Sequence, residues 1–167
     1  MHYEVIGRGR PIIFLHGWIG SWRYWVSAMQ TASTNFRAYA VDMWGFGDTA
    51  HDANRYSLEQ QSALLEHFMR ELGIGKIALV GHGLGALAGI SFALRYPNMV
   101  ARIMAVQVPL DLEAVNSRLR NNSLSAGAEW LAGKTSAAEP ARTDALKADA
   151  LAVSMSFNSP IFNLRER

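Results

Sequence analysis

The sharpest chemical signature in the chain is Gly81-His82-Gly83-Leu84-Gly85. It follows an apolar run, Lys76-Ile77-Ala78-Leu79-Val80, and leads into a small-residue stretch carrying Ala86 and Gly89. This is the pattern of a nucleophile elbow, where a reactive residue sits on a tight turn between a strand and a helix. The residues two before and two after the centre must be small, because the backbone there passes close to neighbouring elements. Gly81 and Gly85 stand at those places. The centre itself is Gly83, which offers no nucleophilic atom, so acyl-enzyme and ester intermediates are both unavailable there. What survives is the start of a helix, whose backbone N–H groups attract an anionic or carbonyl oxygen without any nucleophile.

Two further blocks precede the turn: Leu15-His16-Gly17-Trp18 and Asp42-Met43-Trp44-Gly45-Phe46-Gly47-Asp48. In their order and spacing, the three blocks resemble the α/β-hydrolase family over most of the chain. The resemblance implies an α/β fold class: a truncated α/β-hydrolase fold, a mostly parallel sheet with helices on both faces plus a partial helical cap. It divides the chain into an N-terminal core part, residues 1–110, and a cap-like segment, residues 111–167. Within the latter, Asn163-Leu164-Arg165-Glu166-Arg167 looks like the run leading into a next strand. By motif position, the implied oxyanion hole takes one donor from the Leu84 N–H. The other comes from the loop after the third strand of that fold, at Trp18 or a near neighbour, with His16, Gly17 and His82 alongside.

Relatives place their catalytic histidine, and usually their acid, on loops after later strands. The five histidines of this chain (His2, His16, His51, His67, His82) all precede that position. The expectation is a hydrolase-like protein lacking nucleophile, acid and base, catalytically deficient, with a small-ligand-binding or interaction role. The alternative is an esterase-like fragment, mutant or half-enzyme, active only when another chain complements it.

Each residue also has a plainer reading. An elbow residue other than glycine carries strain of order 1–3 kcal/mol. A sequence freed from catalytic selection therefore drifts to glycine there, and an engineered serine-to-glycine change gives the same result. His16 shapes its loop, and the side chain of His82 is expected to point away from position 83. Asp42 hydrogen-bonds at a strand end, and Asp111, just past the last strand and near the place some relatives use for their acid, more simply starts a helix. Trp18, Trp22, Trp25 and Trp44 line core and pocket, favouring a hydrophobic small molecule. No His or carboxylate spacing suggests a metal, and no cofactor is called for.

These residues need elements to hold them. Strands are expected at residues 2–6, 12–15, 37–41, 76–80 and from Arg102 to Val108, alternating with helical segments, which argues for a parallel sheet covered by helices. Ser21 is available to cap a helix carrying Trp22, Trp25, Val26 and Met29. Ser57 caps one carrying Leu58, Leu64, Leu65, Phe68 and Leu72, closed by Gly73. Residues 84–95 make a third helix, ending before Pro97. After Pro109 the pattern is helical without a strand. Leu112-Val115-Leu119, Ala128-Trp130-Leu131 and Ala145-Leu146-Leu151-Met155 mark amphipathic helices, and residues 132–140 read as a loop.

The 167 residues are 50% apolar and 18% charged, enough for one domain with a core. No apolar run approaches the roughly 18 residues of a membrane span, and no secretory leader is visible. The basic residues are scattered and the net charge is +2, so nucleic acid is not an expected partner. The absence of cysteine excludes disulfides and a thiol nucleophile and fits a cytoplasmic protein. The apolar strand from Arg102 to Val108 reads as covered on both faces. Left open, that edge is expected to recruit a second copy or a complementary chain.

Overall fold

Alternation along the strands sets the architecture. Strands β1 (Tyr3–Gly7), β2 (Arg10–Leu15), β3 (Phe36–Val41), β4 (Ile77–His82) and β5 (Val100–Val106) form one sheet in the order β1-β3-β2-β4-β5. β1 runs antiparallel to β3, and the other pairs are parallel. In this computed structural model, which describes residues 1–121, 124, 126, 127, 129 and 138–160, Ile13 pairs with Tyr39 and Leu79, and Phe14 with Ala40 and Val80. Successive side chains take opposite faces. Ile13, Leu15, Tyr39, Val41, Ile77 and Leu79 therefore join one core, and Phe14, Ala38 and Ala40 another.

Helices cover both faces, as expected. Helix α1 (Val26–Ala32) sends Met29 into the smaller core, while α2 (Leu58–Glu71) and α3 (Leu84–Arg95) send Leu65, Phe68, Leu87 and Phe92 into the larger one. Ser57 caps α2 by accepting from Gln60 N–H, and Gly73, at φ +64°, follows its end. The first expected helix is split. Residues Trp22–Trp25 form a 3-10 turn capped by Ser21, and α1 begins only at Val26.

Strand β5 begins and ends two residues earlier than its sequence suggests. Gln107 has φ +50°, which turns the chain out of the extended region, so the pairing stops at Val106. Among the described residues β5 lies at the edge of the sheet, as the open-edge expectation has it, and Ile103 and Met104 are 39% and 62% exposed.

After Pro109 the described residues form a 3-10 turn at Leu112–Ala114 and helices α4 (Ser117–Arg120), α5 (Ala138–Lys147) and α6 (Ala150–Ser156). Asp111 starts the turn, its Oδ1 accepting from Ala114 N–H at 2.7 Å. The expected loop ends sooner than 140, since Pro140 lies in the first turn of α5, where a missing N–H costs nothing. The buried face here matches the expected one in part: Ala145 and Met155 pack against the main core, whereas Leu146 and Leu151 are exposed. Leu146 is 89% exposed, and Ala148, Ala152 and Val153 point inward instead, because the chain breaks at Asp149 and restarts as α6 under that residue's cap. The expectations for Ala128, Trp130, Leu131, residues 132–137 and residues 161–167 lie outside the described residues. No described helix is long and apolar enough to cross a membrane.

The described residues beyond 110 pack into the main core. Val115, Leu119, Ala152 and Val153 share one buried cluster with Leu15 and Ile19. Asp149 N–H donates to Gly45 O at 2.8 Å, Tyr56 OH donates to Asp149 Oδ2 at 2.6 Å, and Lys147 pairs with Asp48.

Candidate functional site

The elbow is built by close backbone contact. A Cβ at Gly81 would lie 2.5 Å from Gly85 O and 2.7 Å from Ala86 Cα. One at Gly85 would lie 2.4 Å from Leu15 O and 2.5 Å from His16 O. Gly85 N–H donates to His16 O at 3.0 Å, which ties α3 to the loop after β2. Gly83 sits between them at φ 52° and ψ −114°, its N–H donating to Val106 O at 3.0 Å. Leu84 is the first residue of α3, so its N–H is among those with no acceptor inside the helix. Its side chain is buried and plays no part in the cleft wall.

Gly83 floors a cleft of about 470 Å³ whose walls include Trp18, Tyr24, His82, Gln107, Val115 and Leu119. Trp18 contributes its ring as well as its backbone position. Ring carbons Cε3 and Cζ3 lie 3.2 Å from where a Cβ at position 83 would stand. The indole Nε1–H donates to Ser156 Oγ at 2.8 Å, and that hydroxyl donates on to Val153 O at 2.6 Å. The back of the cleft is thus pinned by α6.

His16 is fully buried, with Nδ1 2.8 Å from Gly17 O and Nε2 accepting from Met43 N–H at 3.1 Å. A carbonyl can only accept and an amide N–H only donate, so the ring is neutral with its proton on Nδ1. It joins the loop after β2 to the loop after β3 and does not line the cleft. Burial holds its pKa below the ordinary 6.5, against the opposing pull of the Asp42 charge and Gly17 O. The sign follows. Below 6.5 the unfolded chain takes up a proton that the folded ring resists, so this contribution is complete above that value and lost as pH falls through the folded pKa. The melting temperature is expected to decline with acidification below about pH 6.5, and His16→Gln to flatten that slope. Melting curves across that range check it.

His82 does not turn away from position 83. Its ring lines the same cleft, 5.4 Å from the Tyr24 ring centroid, with Nε2 2.6 Å from Gln107 Oε1. Gly17 lies beneath it, and a Cβ at that position would come within 2.5 Å of His82 Nδ1. The structure therefore brings Trp18, Gly17, His82, Gly83 and the Leu84 N–H together and sets His16 behind them. Tyr24, Gln107 and Ser156 were not singled out by the sequence. The one local signal was a polar Gln107 between Val106 and Val108.

Asp42 is buried at the end of β3 as a structural acceptor. Its Oδ1 takes Trp22 N–H at 2.6 Å, and its Oδ2 takes Asp48 N–H and His2 Nδ1, both at 2.9 Å. His2, Asp42 and Asp48 do bring ligand-type atoms within 4.8 Å of one another, a grouping that their separation in sequence conceals. Those atoms already serve internal donors, and Asp48 also faces Lys147 and Arg23. The cluster is accounted for as the brace of the 42–49 loop.

An antiparallel-edged parallel sheet, an elbow at the end of β4 and a cleft over that elbow define one class. The chain belongs to the α/β hydrolase fold family, whose pattern it matches over residues 10–153. It is similar to a soluble epoxide hydrolase of Corynebacterium sp., 27% identical over 108 residues, 65% of this chain and 38% of that one. It is also similar to the 2-hydroxy-6-oxo-2,4-heptadienoate hydrolase of Pseudomonas putida, 32% identical over 114 residues, 64% of this chain and 41% of that one. Among solved structures it resembles a serine-to-glycine mutant of the N-acyl homoserine lactonase AidH complexed with N-hexanoyl homoserine lactone. That likeness has a TM-score of 0.80 at 23% identity, covering 98% of this chain and 66% of that one. The chain spans 38% and 41% of the length of these two curated relatives.

Proposed function

We propose that this chain binds a neutral, hydrophobic small molecule in the cleft over Gly83 and does not form a covalent intermediate with it. The carrying observation is Gly83 itself: the elbow geometry is complete, and the residue at its centre has no side chain to attack with. Among the described residues the cleft walls are apolar apart from Tyr24, His82, Gln107 and Asn116, with no acid, lysine or arginine in the lining. The curated relatives are named for small organic substrates, an epoxide and a heptadienoate, in keeping with a ligand of that size. The Leu84 N–H supplies a donor for a carbonyl oxygen.

The test pairs the wild type with Gly83→Ser. The added Cβ meets the Trp18 ring at 3.2 Å in a left-handed backbone, so a stability loss of about 1–3 kcal/mol is expected. Neither protein is expected to release nitrophenolate from p-nitrophenyl hexanoate faster than buffer. Acetophenone is expected to raise the melting temperature of the wild type. Hydrolysis appearing only in Gly83→Ser would show that a working base already stands in the cleft and would favour a damaged enzyme, whereas hydrolysis by the wild type would overturn the non-catalytic reading.

A second reading rests on β5. We further infer that β5, at the sheet edge among the described residues with Ile103 and Met104 exposed, pairs with a second copy or a complementary chain, which is also where an acid and a histidine would come from. The solution mass of the same samples decides this. A strictly monomeric species with the edge bare argues against a second copy, and activity gained on adding another chain would favour the half-enzyme.

A further inference from the structure

Gln107 is held in a conformation that its residue type disfavours. Its φ of +50° puts it in the left-handed region, where a side chain without a short polar group costs of order 1–3 kcal/mol and glycine costs nothing. Strain of this kind persists where the surroundings over-determine it, and it collects at ligand sites. Here the residue ends β5 and lines the cleft beside Gly83. Its Oε1 is engaged by His82 Nε2 at 2.6 Å. Because that oxygen can only accept, the imidazole carries its proton on Nε2, and the buried Nδ1 has no hydrogen-bond partner among the described residues. The bond also fixes which way the amide faces. The carbonyl end is spent on His82, and the NH2 end, which no described residue engages, is left to the cleft.

We propose that Gln107 is the specificity-determining residue of this cleft, its Nε2 donating to the oxygen of a neutral carbonyl ligand, with His82 holding the amide in that orientation. The inference rests on the ligand-binding reading above and narrows it to a class: ketones, esters, lactones or amides rather than hydrocarbons or carboxylates. Neutrality is argued from the walls. Among the described lining residues there is no lysine or arginine to compensate an anion, whereas Trp18, Val108, Pro109, Val115 and Leu119 suit an apolar body. The carbonyl end is where a donor fixed in advance discriminates, because an unmatched buried donor costs more than a matched one gains.

The experiment uses two probes of nearly the same shape, acetophenone and ethylbenzene, titrated into the wild type and into Gln107→Met, with binding followed by ligand-observed NMR. Methionine keeps the length and the backbone strain but donates nothing. The wild type is expected to prefer acetophenone by about fivefold, the value of one net hydrogen bond. Gln107→Met is expected to lose that preference while keeping its affinity for ethylbenzene. Gln107→Asn tolerates the left-handed backbone but falls one methylene short, so it is expected to show the same loss and guards against misfolding of the first variant. If the preference survives in both variants, the discriminating donor lies elsewhere, such as the Leu84 N–H, and the assignment of Gln107 is overturned while the cleft reading stands. If the wild type binds neither probe, the cleft reading fails and this one with it.

Discussion

Gly85→Ala is expected to lower the melting temperature by roughly 6–12 °C, the equivalent of about 3 kcal/mol in a chain of this size. A methyl group there would sit 2.4 Å from Leu15 O and 2.5 Å from His16 O. Neither atom belongs to a rotatable side chain, so relief requires moving α3 away from β2. That movement strains the bond from Gly85 N–H to His16 O and disturbs the packing of Ala86, Leu87 and Ala88, all of which are fully buried. The natural control is Gly75→Ala. Nothing lies within 4 Å of a Cβ at that position, so its melting temperature is expected to match the wild type. Differential scanning calorimetry of the three proteins tests this, and an unchanged midpoint in Gly85→Ala would mean that α3 is not wedged against β2 as described.

Asp42→Ala is expected to cost a comparable amount, about 3 kcal/mol, by a different mechanism. One carboxylate, fully buried, accepts from Trp22 N–H, Asp48 N–H and His2 Nδ1. Its removal leaves the backbone donors of two separate loops without an acceptor, and each orphaned buried group costs about 1–3 kcal/mol. Packing is also affected, since Gly47 has its backbone pressed against this carboxylate: a Cβ there would be 2.3 Å from Asp42 Oδ2. Asp42→Asn retains one acceptor oxygen but presents an NH2 to the remaining donors, so about half the loss is expected. Urea titration of both variants, read by tryptophan fluorescence, gives the ordering. Equal stability of Asp42→Asn and wild type would mean that only one of the three bonds matters.

Most of the architecture was legible because it is specified locally. The runs at 12–15, 37–41 and 76–80 carry apolar residues on both faces, and Ser57 and Gly73 bracket α2 with their own caps. Helix α3 was read to the residue, since Gly83 before it and Pro97 after it leave little choice. Gly81 and Gly85 marked the elbow for the same reason, as steric demands of a turn act within a few residues. The misreadings share a cause at longer range. Nothing near Gln107 shows that it turns left-handed, because the partner that secures its side chain is His82 on the neighbouring strand. The inward face of α5 and α6 was misjudged at Leu146 because the break at Asp149 depends on Gly45 and Tyr56, about a hundred positions earlier. Trp18 was legible as a site residue, whereas Ser156, which fixes its ring, was not. His2, Asp42 and Asp48 meet only when β1 is laid antiparallel beside β3.

The bond between Trp18 and Ser156 spans 138 positions, and those of Tyr56 and Asp48 to the region around Asp149 span 93 and 99. The five described strands are present in a growing polypeptide once Val106 has left the ribosome, so this part of the sheet and the elbow can assemble early. The indole ring acquires its partner only when α6 has been made, several seconds later at roughly 5–20 residues per second. During that interval the nascent chain has a floor to its cleft and no fixed rear wall, with Ile19 and Trp18 exposed to whatever is nearby. Maturation of the pocket is thus tied to the order of synthesis, and a ribosome stalled between those two points carries a folded sheet whose cleft still lacks its rear wall.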